Sequence, residues 1–323
     1  MFYVAFIVIL AVIFINGFTD AANAIATAVG TKAIRMKQAC ILSAVMNFAG
    51  VFITSFLRPA VADSLYNMIN MNADREEVFL FVAVSMFSVL VWAVAAWFFG
   101  IPTSESHALI ASLTGCAVAV QGGFAAVNKA ELYRVFFGLF FSVFIGFFVS
   151  YGMQKMSRNL KNIKTRHFQI TIAAALSFLH GAQDGQKFLG VLMLLFAYVN
   201  EDIFFKNSLA FILCCAVFMG LGTLCGGKRI VLSVGENITP LNGLQGIISD
   251  FSACIGMTVC TYSGLPVSTT HVKTMSVVGV GFATDSKKVN KKLITDIILT
   301  WGLTFPGCAF LGYLLTKLFL LRL

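Results

Sequence analysis

Two short motifs in this sequence carry side chains able to hold ions, and each motif occurs twice. NGFTDAAN at 16–23 is matched by HGAQDGQK at 180–187, which aligns Gly17 with Gly181 and Asp20 with Asp184. GIPTSESH at 100–107 is matched by GLPVSTTH at 264–271, with Gly, Pro, Ser and His in common. All of these pairs are 164 positions apart, and Asp20 precedes Pro102 by the same 82 residues that separate Asp184 from Pro266. One offset shared by two independent motifs marks an internal repeat.

Asp20 and Asp184, with the hydroxyl of Thr19 and the amide of Gln183 beside them, suit a hard cation such as sodium. They suit a proton equally well, and their plainer use is to cap two helix breaks. The second motif reads as a Gly-x-Pro break that starts a helix, with Pro near the first turn and hydroxyls at the cap. Free N–H groups and the helix dipole at such an end favour an anion. Ser104 and Ser106 from one half would meet Ser268, Thr269 and Thr270 from the other. Hydroxyl and amide donors without bulk positive charge suit a tetrahedral oxyanion that must bind and then leave. The plainer reading is two ordinary N-caps.

Lys187 stands where the first half has Asn23. A lone lysine there would neutralise the anion, pair with an aspartate, or occupy a cation position. Glu105, His107 and His271 are candidates for proton coupling, the histidines alternatively serving as neutral hydrogen-bonding groups. Asp250 and Lys273 read as a structural pair.

The elements that must position these residues are apolar. Of 323 residues, 59% are hydrophobic and only 11% charged; mean hydropathy is +0.88. Soluble domains carry about 25% charged residues, so lipid is the main solvent here. The net charge of +9 does not indicate nucleic acid, because the basic residues fall in short clusters between apolar runs and no groove-reading motif is present. The eight cysteines contain no C-x-x-C pair and read as small buried hydrophobes. The N-terminal run lacks a basic n-region and reads as retained structure.

Apolar runs long enough to span a bilayer occur at about 40–57, 78–99, 105–127, 134–154, 207–225, 242–263 and 293–321, since a span needs about 20 residues. A shorter run lies at 268–283, and the stretches 1–31 and 169–199 each carry a polar break. Ten crossings with the N-terminus outside put Lys32, Arg35, Lys37, Lys155, Arg158, Lys161, Lys164, Arg166, Lys228, Arg229, Lys287, Lys288, Lys291 and Lys292 inside. Arg58, Arg75, Lys129 and Lys206 fall outside, with Arg134 at a boundary; Lys317 and Arg322 are the exceptions to the rule.

Five crossings per half is an odd number, so the second half lies upside down. The expectation is an all-α integral membrane protein, an inverted-repeat secondary transporter with broken helices at the midplane. Its parts are a first repeat at 1–154, a basic cytoplasmic linker at 155–167 and a second repeat at 168–323.

At GFTDAANAIATAVGTKA, HGAQDGQKFLG, PTSESH and PVSTTH, together spanning essentially the whole chain, the sequence resembles the inorganic phosphate transporter (PiT) family, in its bacterial form. The resemblance implies symport of inorganic phosphate with sodium or protons across the cytoplasmic membrane, by a homodimer in lipid that needs no cofactor beyond the coupling ion. It implies Asp20 and Asp184 as cation ligands, and Asn23, Ser104, Ser106, Ser268, Thr269 and Thr270 as phosphate ligands. The signature Asn before each Asp is Thr19 and Gln183 here, and Lys187 is similar to the Gly-Gln-Lys version of proton-coupled bacterial members. The family also contains sulfate permeases, so sulfate or another oxyanion is the alternative cargo. A membrane-embedded enzyme such as a lipid phosphatase lacks support, since neither G-x-S-x-G nor H-E-x-x-H is present. An anion channel has less need of symmetric half-sites.

Overall fold

A computed structural model describes residues 1–157, 165–199 and 201–321, without the side chains of 201–208. Arg158, Lys161 and Lys164 of the basic linker, the side chains of Glu201, Asp202 and Lys206, and Arg322 lie outside the described residues.

The first half comprises α1 (Phe2–Thr19), α2 (Ala22–Gly30), α3 (Met36–Leu57), α4 (Ala60–Tyr66), α5 (Arg75–Phe99), α6 (Glu105–Gln121) and α7 (Lys129–Met156). The second comprises α8 (Thr165–His180), α9 (Gln186–Ala197), α10 (Glu201–Cys225), α11 (Lys228–Leu232), α12 (Gly243–Tyr262), α13 (Thr269–Asp285) and α14 (Lys291–Leu320). Among the described residues the only strand-like pairing is an isolated bridge between Ile69 and Val127. The protein is all-α.

The halves correspond element by element. Each has one broken helix, four further long helices and one short helix, so α1/α2 answers to α8/α9, α3 to α10, α4 to α11, α5 to α12, α6 to α13 and α7 to α14. Contacts between the halves come in matching pairs: α7 packs on α13 as α14 packs on α6, α1 on α10 as α8 on α3, and α4 on α9 as α11 on α2. An inverted repeat with five crossings per half produces this interlock. Six stretches are individually long and apolar enough to cross a bilayer: Phe2–Gly30, Met36–Leu57, Arg75–Phe99, Lys129–Met156, Gly243–Tyr262 and Lys291–Leu320. Leu209–Cys225 and Lys228–Asn237 form a further pair bent by 68°. Exposed Phe56, Phe99, Phe137, Phe140 and Phe310 cover the outside, a surface that lipid and not water accommodates.

Two differences from the sequence reading concern short elements. The 58–77 outer loop contains α4, and the basic inner turn at 228 continues through α11 into a π-helical turn, Ser233–Asn237. Helices of one or two turns show too little periodicity to be read in sequence.

Gly17 and Gly181 explain how the broken helices reach the centre. A Cβ at Gly17 would stand 2.2 Å from the Met219 carbonyl oxygen, and one at Gly181 would stand 2.3 Å from that of Asn47. Only glycine permits those backbones to approach so closely.

Candidate functional site

The two breaks place the aspartates. α1 ends at Thr19 and the chain passes through Asp20 and Ala21 into α2. In the second half α8 runs into α9 through a π-helical turn, Gly181–Gly185, which carries Asp184. Such turns insert an extra residue into the helix, loosen its ladder and recur at functional sites. Both aspartates are buried, Asp20 at 3% and Asp184 at 1% exposure.

The Pro-Ser motifs supply the facing helix ends. Ser104 caps α6 and its Oγ accepts the His107 N–H at 3.2 Å; Ser268 caps α13 and accepts the His271 N–H at 3.2 Å. The prolines differ from expectation. Pro102 and Pro266 lie two residues before the caps and not in the first helical turn. Gly100 (φ 69°) and Gly264 (φ 61°) turn the chain after α5 and α12 in left-handed conformation, and each proline then keeps the connection extended until the cap.

These elements meet in one buried cluster. Thr269 donates to Asp184 Oδ2 at 3.1 Å and lies 3.5 Å from Asp20 Oδ2, bridging the two carboxylates. Thr270 donates to Asp20 Oδ1, and Asn23 Nδ2 reaches Asp20 Oδ1 at 2.7 Å and Thr270 Oγ1 at 3.3 Å. Lys187 Nζ donates to Asp184 Oδ1 at 2.5 Å, Ser106 Oγ at 2.6 Å and the Val267 carbonyl at 2.6 Å. The 164-residue relation survives at the level of contacts: Asn23 meets Thr270 as Lys187 meets Ser106.

The remaining sequence-predicted residues are placed less uniformly. Thr19 and Glu105 share a short hydroxyl–carboxylate hydrogen bond. Gln183 turns away, its Nε2 donating to the Leu265 carbonyl at 3.3 Å. His107 Nδ1 lies 2.7 Å from Ser104 Oγ. The His107 and His271 rings are 4.6 Å apart, and His271 lies 3.7 Å from the Trp301 ring, whose Nε1 donates to Pro102 O at 3.0 Å. The hydroxyls of Thr269 and Thr270 are spent on the carboxylates here. The free anion donors expected from sequence therefore reduce, in this arrangement, to the helix ends, since all three Lys187 N–H groups also have acceptors.

Three neighbours escaped the sequence reading. Asn16 Nδ2 lies 3.4 Å from Asp184 Oδ2, and His180 Nε2 lies 3.2 Å from the same oxygen. His180 Nδ1 is 2.8 Å from Asn47 Oδ1, whose amide group donates to Ser43. Asn16 and His180 open the two repeated motifs 164 positions apart, which was the available signal. Asp20, His180 and Asp184 place ligand atoms within 4.8 Å of one another, the spacing of a cation site.

A family model described as the phosphate transporter family matches residues 16–167 and again 153–312. The chain belongs to this family. A Bacillus subtilis protein described as "Probable low-affinity inorganic phosphate transporter" is 34% identical over 308 residues, covering 93% of this chain and 91% of its own. One from Rhizobium meliloti with the same description is 32% identical over 313 residues, covering 93% and 91%. A solved structure, "The sodium-dependent phosphate transporter", superposes with a TM-score of 0.86 over 100% of this chain and 99% of that one, at 21% identity. That likeness establishes the fold.

As a phosphate transporter family member the protein is a multi-pass membrane protein whose business is transport and not catalysis. Its site is closed in this conformation. The cavity that Asp20, Asn23 and Glu105 line measures about 10 Å³, no more than one water molecule requires. Asp250, Lys273 and Thr27 form a separate buried network one turn beyond the site residues of α2 and α13.

Proposed function

We propose that this protein carries inorganic phosphate across the cytoplasmic membrane by alternating access, in symport with sodium or protons. The carrying observation is the convergence of Asp20 and Asp184 from two inverted halves on one pair of capped helix ends. Phosphate would be held between Ser104 and Ser106 on one side and Ser268, Thr269 and Thr270 on the other, with Asn23 and Lys187 beside it. Asp20 and Asp184 would hold the coupling cation. Thr269 and Thr270, now on the carboxylates, are released to the anion when the cation takes over those oxygens, which gives the two cargoes a reason to bind together. Glu105, His107 and His271 are the candidates should the coupling ion be a proton.

Accumulation of the anion requires coupling. Moving an anion into a negative cell costs about 2.3 kcal/mol per charge per 100 mV, and a co-transported cation offsets it. The closed site also requires motion, and the interlocked halves supply two packings related by the pseudo-two-fold. The repeats are divided at 154 and 168, the 155–167 linker faces the cytoplasm with the N-terminus outside, and the protein is a homodimer. Family membership and the relatives' descriptions support phosphate as cargo. Sulfate or another oxyanion on the same scaffold is the alternative.

The test is uptake of labelled phosphate into proteoliposomes under separately imposed sodium and pH gradients. Asp20→Asn and Asp184→Asn should each abolish uptake, and undiminished gradient-driven uptake in both would end the proposal. Competition by sulfate and arsenate decides the anion.

A further inference from the structure

One groove on the outside of the bundle combines a fixed cation with exposed apolar walls. It measures about 810 Å³ and is lined from the end of α5, from α11 and from the first turns of α14. Phe98, Phe99, Leu299 and Leu303 form its apolar wall and are all well exposed. Arg229 supplies the cation. Its Nη1 donates to the Phe98 carbonyl at 2.6 Å, and the guanidinium lies 5.3 Å from the Trp97 ring centroid and 5.8 Å from that of Phe98. The hydrogen bond caps a carbonyl in the last turn of α5 and uses one of five N–H donors. Among the described residues no carboxylate pairs with this guanidinium.

The groove opens at the basic end of the molecule. Arg166 Nε donates to the Ala33 carbonyl at 3.1 Å, Gly243 lies against the Thr165 side chain, and the Asn290 N–H donates to the Ile238 carbonyl at 2.9 Å. These contacts gather the turns that carry the basic clusters on one side of the bundle. Lys228 precedes Arg229, and Lys291 and Lys292 open α14; all four are exposed. Glu236 and Asp296 are the acidic residues of this rim, so positive charge prevails.

Basic pockets between helices on the cytoplasmic side suit anionic lipid headgroups, and the arginine fork matches a phosphate group. A free oxyanion would use Arg229 and leave the apolar wall uncovered. A phospholipid uses both. A second, wholly apolar pocket of about 440 Å³, lined by Phe14, Phe18, Val94 and Trp97, adjoins the same Arg229–Trp97 stack and has room for part of an acyl chain.

We infer that this groove binds one anionic phospholipid of the inner leaflet, with its phosphate on Arg229 and its acyl chains along Phe98, Phe99, Leu299 and Leu303. Only the choice of leaflet rests on the proposed orientation; the cargo and the coupling ion do not enter. The lipid would bridge the two halves, since α5 belongs to the first and α11 and α14 to the second. Ile101 lines both this groove and the closed cavity at Asp20, so the lipid would brace a wall of the site.

The test is thermal unfolding of the full chain in neutral detergent, titrated with phosphatidylglycerol or with phosphatidylcholine of the same acyl chains. For the wild type, phosphatidylglycerol should stabilise at an about fivefold lower concentration, the effect of one basic side chain at an anionic lipid surface. Arg229→Gln keeps a donor for the Phe98 carbonyl but loses the charge, and should erase that preference while leaving the phosphatidylcholine response in place. Leu299→Trp fills the groove from an exposed position and should weaken the response to both lipids. It serves as the second variant should Arg229→Gln fail to fold. Inorganic phosphate should leave the wild-type preference for phosphatidylglycerol unchanged. Equal responses of the wild type to the two lipids, or an undiminished preference in Arg229→Gln, would overturn the assignment. Loss of the preference on adding inorganic phosphate would make the groove an oxyanion site instead. A change of oligomeric state in Leu299→Trp, read by light scattering, would give the groove to a second copy of the chain.

Discussion

Lys273 and Asp250 form an ion pair deep inside the protein, their side chains 1% and 0% exposed. Thr27 ties the pair to α2: its hydroxyl lies 2.6 Å from both Asp250 oxygens and 3.0 Å from Lys273 Nζ. The positions 164 earlier hold Leu109 and Met86, so the ion pair has no counterpart in the first half. It clamps α2 and α13, the helices that carry Asn23 and Thr270.

Breaking such a pair from one side leaves a buried charge without a partner, at a cost of about 3–5 kcal/mol. Lys273→Met should therefore lower the thermal unfolding temperature sharply. The double variant Asp250→Leu with Lys273→Met removes both charges and should recover most of the loss. Unfolding in detergent measures both, and a double variant no better than the single would show that the pair is not the source of the effect.

The two aspartates of the site should differ in what they do for stability. Asp184→Asn strips Lys187 of its only carboxylate among the described residues and should cost about 3–5 kcal/mol as an uncompensated buried charge. Asp20→Asn removes a charge that touches neutral donors only and should cost little or nothing. Thermal unfolding without sodium or phosphate separates them, and equal losses would contradict the charge asymmetry described above.

Much of this architecture is legible in the sequence because its determinants are periodic or local. The apolar runs give the long helices, the 164-residue offset gives the repeat, and Ser104 and Ser268 announce caps through the Gly-x-Pro ahead of them. What sequence does not carry is the rotation of each helix about its axis. Whether Thr269 faces Asp184 or an open pocket depends on that rotation, as does whether Gln183 reaches the centre or the Leu265 carbonyl. The π-helical turn at 181–185 changes the phase of α9 relative to α8 by an amount no hydropathy pattern records. His180 joined the site for the same reason: it ends α8 one residue before that turn.

Gly17 and Gly181 should tolerate no side chain. A methyl group at either would stand within 2.3 Å of a carbonyl oxygen on a neighbouring helix, and both helices must separate to admit it. Overpacking of this kind costs about 1–3 kcal/mol. Gly17→Ala and Gly181→Ala should each reduce the yield of folded protein and its unfolding temperature. Gly152→Ala in α7 is the control: nothing lies within 4 Å of its Cβ position, and replacing a helical glycine gains up to about 1 kcal/mol.

The caps offer a graded test of how the Pro-Ser helices are held. Ser268→Ala removes one hydrogen bond, from the His271 N–H at 3.2 Å, and should cost about 1 kcal/mol. Ser104→Ala removes the matching bond from His107 N and also the 2.7 Å contact with His107 Nδ1, so it should cost more. Threonine keeps the capping oxygen, and Ser104→Thr and Ser268→Thr should recover most of the stability. If the helix ends also hold phosphate, the alanine variants should raise its half-saturating concentration by a larger factor than their stability losses account for, because the frayed first turn no longer presents its N–H groups as a set. Phosphate titration of uptake alongside thermal unfolding separates the two effects. Unchanged phosphate dependence in both alanine variants would place the anion somewhere other than these helix ends.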